Sequence, residues 1–207
     1  MANHLGRRYS PNVYTCNQKR DSSALRTICL TISKEETTKL IQEVIRATPS
    51  SFNSQSSRAV ILFGDESEKL WNITRETLRK IVPVDAFAST DAKMDSFAAG
   101  AGTVLFFEDQ DTIKDLQEKF ALYADNFPIF SEHSSGMAQF AVWTALADVG
   151  IGASLQHYSP LIDAEVASTW NINPAWKMRS QMPFGSNEAP FSEKTFIDDA
   201  LRFKVFG

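Results

Sequence analysis

"TPSSFNSQSSRAVILF" occupies Thr48–Phe63, and the path of the whole chain depends on how it is read. Pro49 cannot continue a helix, because it lacks an amide proton and its ring clashes with the preceding turn. Small and polar residues follow around a single Phe52. From Arg58 the chain turns apolar and closes on Gly64, the pattern of a short buried strand. The stretch is therefore a helix-to-strand connection, and its polar residues Ser50, Ser51, Asn53, Ser54 and Gln55 have two readings. Serine and asparagine bond their own backbone and favour turns in any protein. Hydroxyls, carboxamides and loop amides converging on one point also suit a flat, polar, hydrogen-bonding ligand.

Upstream, Ser33–Arg46 reads as a helix. Ser33 and Glu36 form an S-x-x-E capping box, and Leu40, Ile41, Val44 and Ile45 make one apolar stripe. Downstream, residues 66–81 read as a helix with Leu70, Trp71, Leu78 and Ile81 inward, and Gly102–Asp109 as a second strand. From Asp111 to Asp125 the steps Ile113, Leu116, Phe120 and Tyr123 predict an amphipathic helix. Gly136–Gly150 is apolar almost all the way round, so both faces need cover: a central helix or a subunit-interface helix. Gly150 suits its end. Gly152–Tyr158 reads as a third strand and Lys177–Gly185 as a fourth. Ser159-Pro160 has the residues of a helix start, and Leu201–Gly207 alternates like a terminal strand, paired within the chain or with a partner. The pattern is α+β, with one domain over residues 19–207 and a mobile N-terminal segment over 1–18.

The 207 residues include 43% hydrophobic and 22% charged, the balance of a globular protein with a real core. A net charge of −4 disfavours a nucleic-acid partner. Cys16 and Cys29 match neither a zinc spacing nor a redox C-x-x-C, which predicts a reduced, intracellular protein. "MANHLGRRYS" has no apolar run of a secretory signal, and no stretch reaches the roughly 18 apolar residues of a membrane span. The expected location is the cytoplasm, with nuclear access by diffusion, and no membrane partner.

The catalytic inventory is sparse. There is no G-x-S-x-G elbow, no P-loop and no G-x-G-x-x-G. The only histidines are His4, His133 and His157, none with a second ligand at helical spacing, so no metal site is predicted. His133 reads as a surface or cap residue. A bound organic cofactor is then the natural source of reactivity.

Four motifs narrow this: "TPSSFNSQSSRAVIL" (48–62), "GTVLFFED" (102–109), "GMAQFAVWTALADVGIGASLQHYSPLID" (136–163) and "QMPFGSNEAPFSEKTF" (181–196). In this order the chain resembles the nitroreductase superfamily, and within it the short Frm2/Hbn1-like branch. The resemblance implies a mostly antiparallel sheet flanked by helices, a homodimer in which the C-terminal strand is exchanged, and FMN held between protomers. It implies ping-pong chemistry, in which NADH or NADPH reduces the flavin and a nitroaromatic or quinone acceptor then takes the same face.

The resemblance also assigns residues. Pro49, Ser50, Ser51, Asn53 and Gln55 match the loop along the flavin ring and ribityl chain. Leu155, Gln156 and His157 match the strand end beside the reactive nitrogen, where donors stabilise negative charge. Arg20, with Ser22, matches the phosphate ligands near the start, and Lys194 a late basic residue on the same phosphate. Asp21 departs from the family's usual Arg-Arg, so Arg7-Arg8 remains a competing basic pair. No catalytic side chain is assigned, since the flavin carries the chemistry. Two other readings stay open: a flavin-binding, lipid- or stress-responsive regulatory protein with little turnover, and a hydrolase using His157 and a nearby serine.

Overall fold

The computed structural model describes residues 30–187 and 195–207. Arg20, Ser22, Lys194, both cysteines, Arg7-Arg8 and the segment 1–18 lie outside these residues. The first helix, α1 (Lys34–Ala47), begins with the expected capping box. The Glu36 amide donates to Ser33 Oγ at 3.1 Å, and Glu36 Oε2 accepts from the Ser33 amide at 2.9 Å. The bond from the Ser33 amide, with a smaller contribution from the Ser33 side chain, holds the Glu36 carboxyl below its ordinary pKa. After the Thr48–Ser56 connection come β1 (Ser57–Phe63), α2 (Asp65–Arg79), α3 (Phe87–Ala98), β2 (Gly102–Asp109) and α4 (Gln110–Lys119). The chain continues through α5 (Phe127–Asp148), β3 (Gly152–Ala153), α6 (Asp163–Thr169), β4 (Trp176–Gly185) and α7 (Asp199–Arg202).

The sheet is antiparallel throughout, in the order β1-β2-β4-β3. Alternation along β2 divides the core. Leu105 and Phe107 face α2 and α3, where they join Leu70, Trp71, Leu78, Met94 and Phe97. Val104 and Phe106 face α1 and α5, where they join Ile41, Val142 and Leu146. A strand covered on both sides favours apolar residues at every step, which explains the unbroken run from Val104 to Phe107. Gly102 is required at its start, because a Cβ there would sit 2.5 Å from the Leu62 carbonyl and from the Phe184 ring.

Several expectations need correction. Helix α3 was not expected at all; its apolar residues are too few to give a clear period, and three of them, Phe87, Met94 and Phe97, do the packing. Ile81 lies beyond the end of α2 and is 58% exposed, not inward. The predicted 111–125 helix stops at Lys119. A tighter 3₁₀ turn, Ala121–Asn126, follows, and Tyr123 is exposed. The apolar helix starts earlier, at Phe127, with Pro128 in its first turn, and Gly150 (φ 78°) follows its end as expected. Only one face of it is covered by the described residues: Met137 and Phe140 are exposed while Val142 and Leu146 are buried.

The third strand is interrupted by Pro183. Gly152 and Ala153 pair with Gly185 and Phe184, the Ser154 amide reaches the Pro183 carbonyl, and Gln156 bridges Gln181 in the same register. Proline offers no N–H in return, so the ladder lapses opposite Ser154. Ser159-Pro160 does not start a helix. Its peptide is cis, two turns follow, and α6 begins at Asp163. The predicted terminal strand is absent from the chain's own sheet. Asp198 caps the short α7, and Phe203–Gly207 run without pairing, with Phe203, Val205 and Phe206 exposed. Alternation shows that a segment can form a strand; it cannot supply the edge. No helix among the described residues is long and apolar enough to cross a membrane.

Candidate cofactor-binding site

The Thr48–Ser57 connection follows an unusual path. Phe52, Asn53 and Gln55 all have left-handed backbones, with φ of 56°, 52° and 48°. Asparagine tolerates this region; a bulky Phe and a Gln do so at a cost of order 1 kcal/mol or more each. Local bonds hold the path. The Asn53 and Ser54 amides donate to the Ser50 and Ser51 carbonyls, and the Gln55 amide donates to Ser50 Oγ at 2.9 Å. From outside, Arg58 Nη1 donates to the Gln55 carbonyl at 2.5 Å, and Ser134 Oγ of α5 accepts the Ser51 amide at 3.3 Å. The Phe52 ring packs on Phe120, Phe127 and Tyr123, with centroids 5.0, 5.2 and 6.0 Å away.

The loop thus directs its polar ends outward. Asn53 and Gln55 are exposed, and neither carboxamide bonds to the described residues. Beside them lies a cleft of about 220 Å³ bordered by Arg46, Thr48, Pro49, Ser50, Gln55 and Arg58, with Ser134 and Ala138 of α5 at its floor.

The second predicted set, Leu155, Gln156 and His157, lies outside β3. Gln156 exchanges both backbone bonds with Gln181, at 2.7 and 2.9 Å, and its side-chain amide donates to Ser154 Oγ at 2.7 Å. Gln181, fully buried in β4, accepts the Tyr158 amide on its side-chain oxygen at 2.8 Å and so holds the turn. His157 projects into solvent without a polar partner among the described residues. Its neighbour Tyr158 is half-buried against Trp71, with centroids 5.9 Å apart, and burial pushes its phenol above the ordinary value.

The two sets do not meet within one chain. The loop enters the sheet at the β1 edge, and Gln156 pairs beyond β4 on the far side. Three strand spacings separate those positions, roughly 14 Å. The cleft is also smaller than the roughly 300–1,000 Å³ pockets that enclose a drug-sized ligand.

Two residues that sequence reasoning missed organise these segments. Gln181 is one. The other is Glu108, fully buried at the end of β2, where three serine hydroxyls donate to it: Ser56 at 2.6 Å, Ser131 at 2.7 Å and Ser57 at 2.5 Å. Glu108 carries one detectable signal: it continues the Val104–Phe106 alternation onto the face covered by α5, where a charge is out of place.

A four-stranded antiparallel sheet between two helical layers, with a polar half-site at either edge, defines an architecture that comparison with known proteins identifies. A profile of the Nitroreductase family matches residues 30–186, and the chain belongs to that family. It is similar to two proteins of Saccharomyces cerevisiae: HBN1, 37% identical over 76% of this chain and 78% of that protein, and the nitroreductase FRM2, 32% identical over 82% and 84%. Among solved structures, the nitroreductase CinD from Lactococcus lactis, in complex with chloramphenicol, is 51% identical over 85% of this chain and 90% of that one, with a TM-score of 0.78. CinD has also been solved with 4-nitrophenol and with nicotinic acid. The protein is accordingly an oxidoreductase of the nitroreductase type.

Proposed function

We propose that the protein is an FMN-dependent NAD(P)H oxidoreductase that reduces nitroaromatic or quinone-type acceptors, and that it works as a homodimer with each flavin shared between protomers. The observation that carries this reading is the placement of two incomplete polar half-sites on opposite edges of the sheet. The donor set suits FMN. Asn53 and Gln55 offer ring heteroatoms carboxamides that have no partner among the described residues, and the left-handed loop brings its backbone to the surface beside them. Gln156 and His157 offer an amide and an imidazole. Arg20, Ser22 and Lys194 are proposed for the phosphate. FMN, when bound, supplies hydride acceptance and delivery; the chain's residues bind, orient and exclude water.

The dimer has support of its own. The exposed face of α5, with Met137 and Phe140, and the unpaired apolar tail, with Phe203, Val205 and Phe206, ask for a second copy. The outer edge of β1 is free to accept a strand within the described residues. The substrate class is supported by the relative CinD, two of whose bound molecules are nitroaromatics and whose third carries the pyridine carboxyl skeleton of a nicotinamide.

The purified protein should be yellow, release FMN on heating, and bleach when titrated anaerobically with NADH or NADPH. Colourless protein that takes up no FMN defeats the proposal. The shared site has a separate test. Arg20→Glu and Asn53→Asp homodimers should each be impaired at both sites. Mixed dimers of the two should regain activity, toward half of wild type per mixed dimer, because one site carries both defects and the other neither. No recovery in verified mixed dimers would put both residues in one chain's site.

A further inference from the structure

Glu108 has no basic partner among the described residues. Arg58 is close by but pairs with Asp109, at 2.7 Å. A carboxylate removed from water is costly unless its oxygens are saturated by good donors. Here the donors are three hydroxyls at 2.5–2.7 Å, the range of charge-assisted O–H···O⁻ bonds.

The origin of those donors matters more than their number. Ser56 ends the loop, Ser57 begins β1, and Ser131 belongs to the first turns of α5. One turn further along α5, Ser134 receives the Ser51 amide. Ser56 also lies 3.4 Å, oxygen to oxygen, from Ser54. Consecutive strand residues normally point to opposite faces. Ser56 precedes β1 and Ser57 opens it, and their hydroxyls reach the two oxygens of one carboxylate directly after the left-handed Gln55. The carboxylate thus anchors the loop where its left-handed stretch ends.

We infer that Glu108 is the positioning residue of the loop: it ties Ser56, Ser57 and α5 together and so sets the direction in which Asn53 and Gln55 project. This deepens the flavin reading proposed above and rests on it. A carboxylate is the side chain of this length that can accept from three hydroxyls without having to donate in return. Glutamine is a partial substitute: its oxygen can serve Ser56 and Ser131 while its amide donates to a reoriented Ser57.

The test compares Glu108→Ala, Glu108→Gln and the double variant Ser56→Ala with Ser131→Ala against wild type, in the full chain. Three readouts are used: amide hydrogen exchange over residues 51–56 with flavin removed, FMN affinity by fluorescence titration, and the visible circular dichroism of bound flavin. Glu108→Ala should speed exchange in the loop by more than any uniform acceleration seen in α2, weaken FMN on the order of tenfold or more, and alter the flavin signal. Glu108→Gln should recover most of each. If Glu108→Ala does not fold, the serine double variant carries the same expectation. Variants that match wild type in loop exchange, in FMN affinity within twofold and in the flavin signal overturn the inference. If wild type binds no FMN while the variants still free the loop, the flavin reading fails and the positioning role stands.

Discussion

At the β1 edge a buried carboxylate holds the Ser50–Ser57 loop; at the β3 edge a buried carboxamide, Gln181, holds the Gln156–Ser159 turn. Both anchors are fully buried, and both stabilise segments assigned to the same cofactor. They differ in what they must accomplish. Gln181 reinforces a backbone bridge that already exists, since Gln156 exchanges two main-chain bonds with it. Beyond Ser57 the ladder continues only through the Asp109 amide, which donates to the Ser56 carbonyl at 3.0 Å, and Glu108 holds the loop that precedes it. It gathers hydroxyls from three elements around a path with three left-handed residues. A carboxylate accepts from several donors and has nothing to donate, whereas a carboxamide divides its bonds between an accepting oxygen and a donating amide. A strained, side-chain-held segment thus calls for the charged anchor, and a backbone-held segment does not.

The sharpest way to break this contrast is to delete both anchors and compare stability. Glu108→Ala should lower the unfolding free energy by about 2–4 kcal/mol, because buried Ser56 and Ser131 lose their acceptor. Urea denaturation gives the value directly. Gln181→Ala should cost less, about 1–3 kcal/mol, since the Gln156 bridge is main chain and survives while the Tyr158 amide loses its partner. A larger loss for Gln181→Ala would reverse the assignment of the stronger anchor.

A finer test uses Tyr158, which closes the second segment. Burial disfavours its phenolate, so its folded pKa lies above the ordinary value of 10.0. The sign follows from linkage. The unfolded chain releases the proton first as pH rises. The contribution is therefore fully present below about pH 10 and is lost as pH rises through the folded value. Urea midpoints at pH 9 and pH 11 should fall more for wild type than for Tyr158→Phe. Equal slopes would mean the ring is not held in its half-buried position against Trp71.

Much of the frame was legible in residue order. The Ser33–Glu36 box, the helix-to-strand break at Pro49, the strand read from Arg58 and found from Ser57, the strand beginning at Gly102, and the Gly150 stop are local chemistry: caps, a missing N–H, alternation, a left-handed turn. Local rules hold when the deciding atoms lie within a few residues of one another. Motif order was also sufficient to indicate the nitroreductase family, which the comparisons establish for residues 30–186.

Tertiary structure decided what depended on distant atoms. Pro183 interrupts β3 from about thirty residues away, and nothing in Gly152–Tyr158 announces it. The tail Leu201–Gly207 alternates as a strand should, yet it pairs with none of the described strands of its own sheet. The two polar sets named for one ring stand on opposite sheet edges. Alternation marks Glu108 as a charge on a covered face, but its partners Ser56 and Ser131 come from 52 and 23 residues away in sequence and meet it only on folding. Sequence by itself determined which segments could form and which chemistry they carried. Which of them met, and across which edge, was settled by burial and hydrogen-bond satisfaction, because those depend on neighbours that only the folded chain supplies.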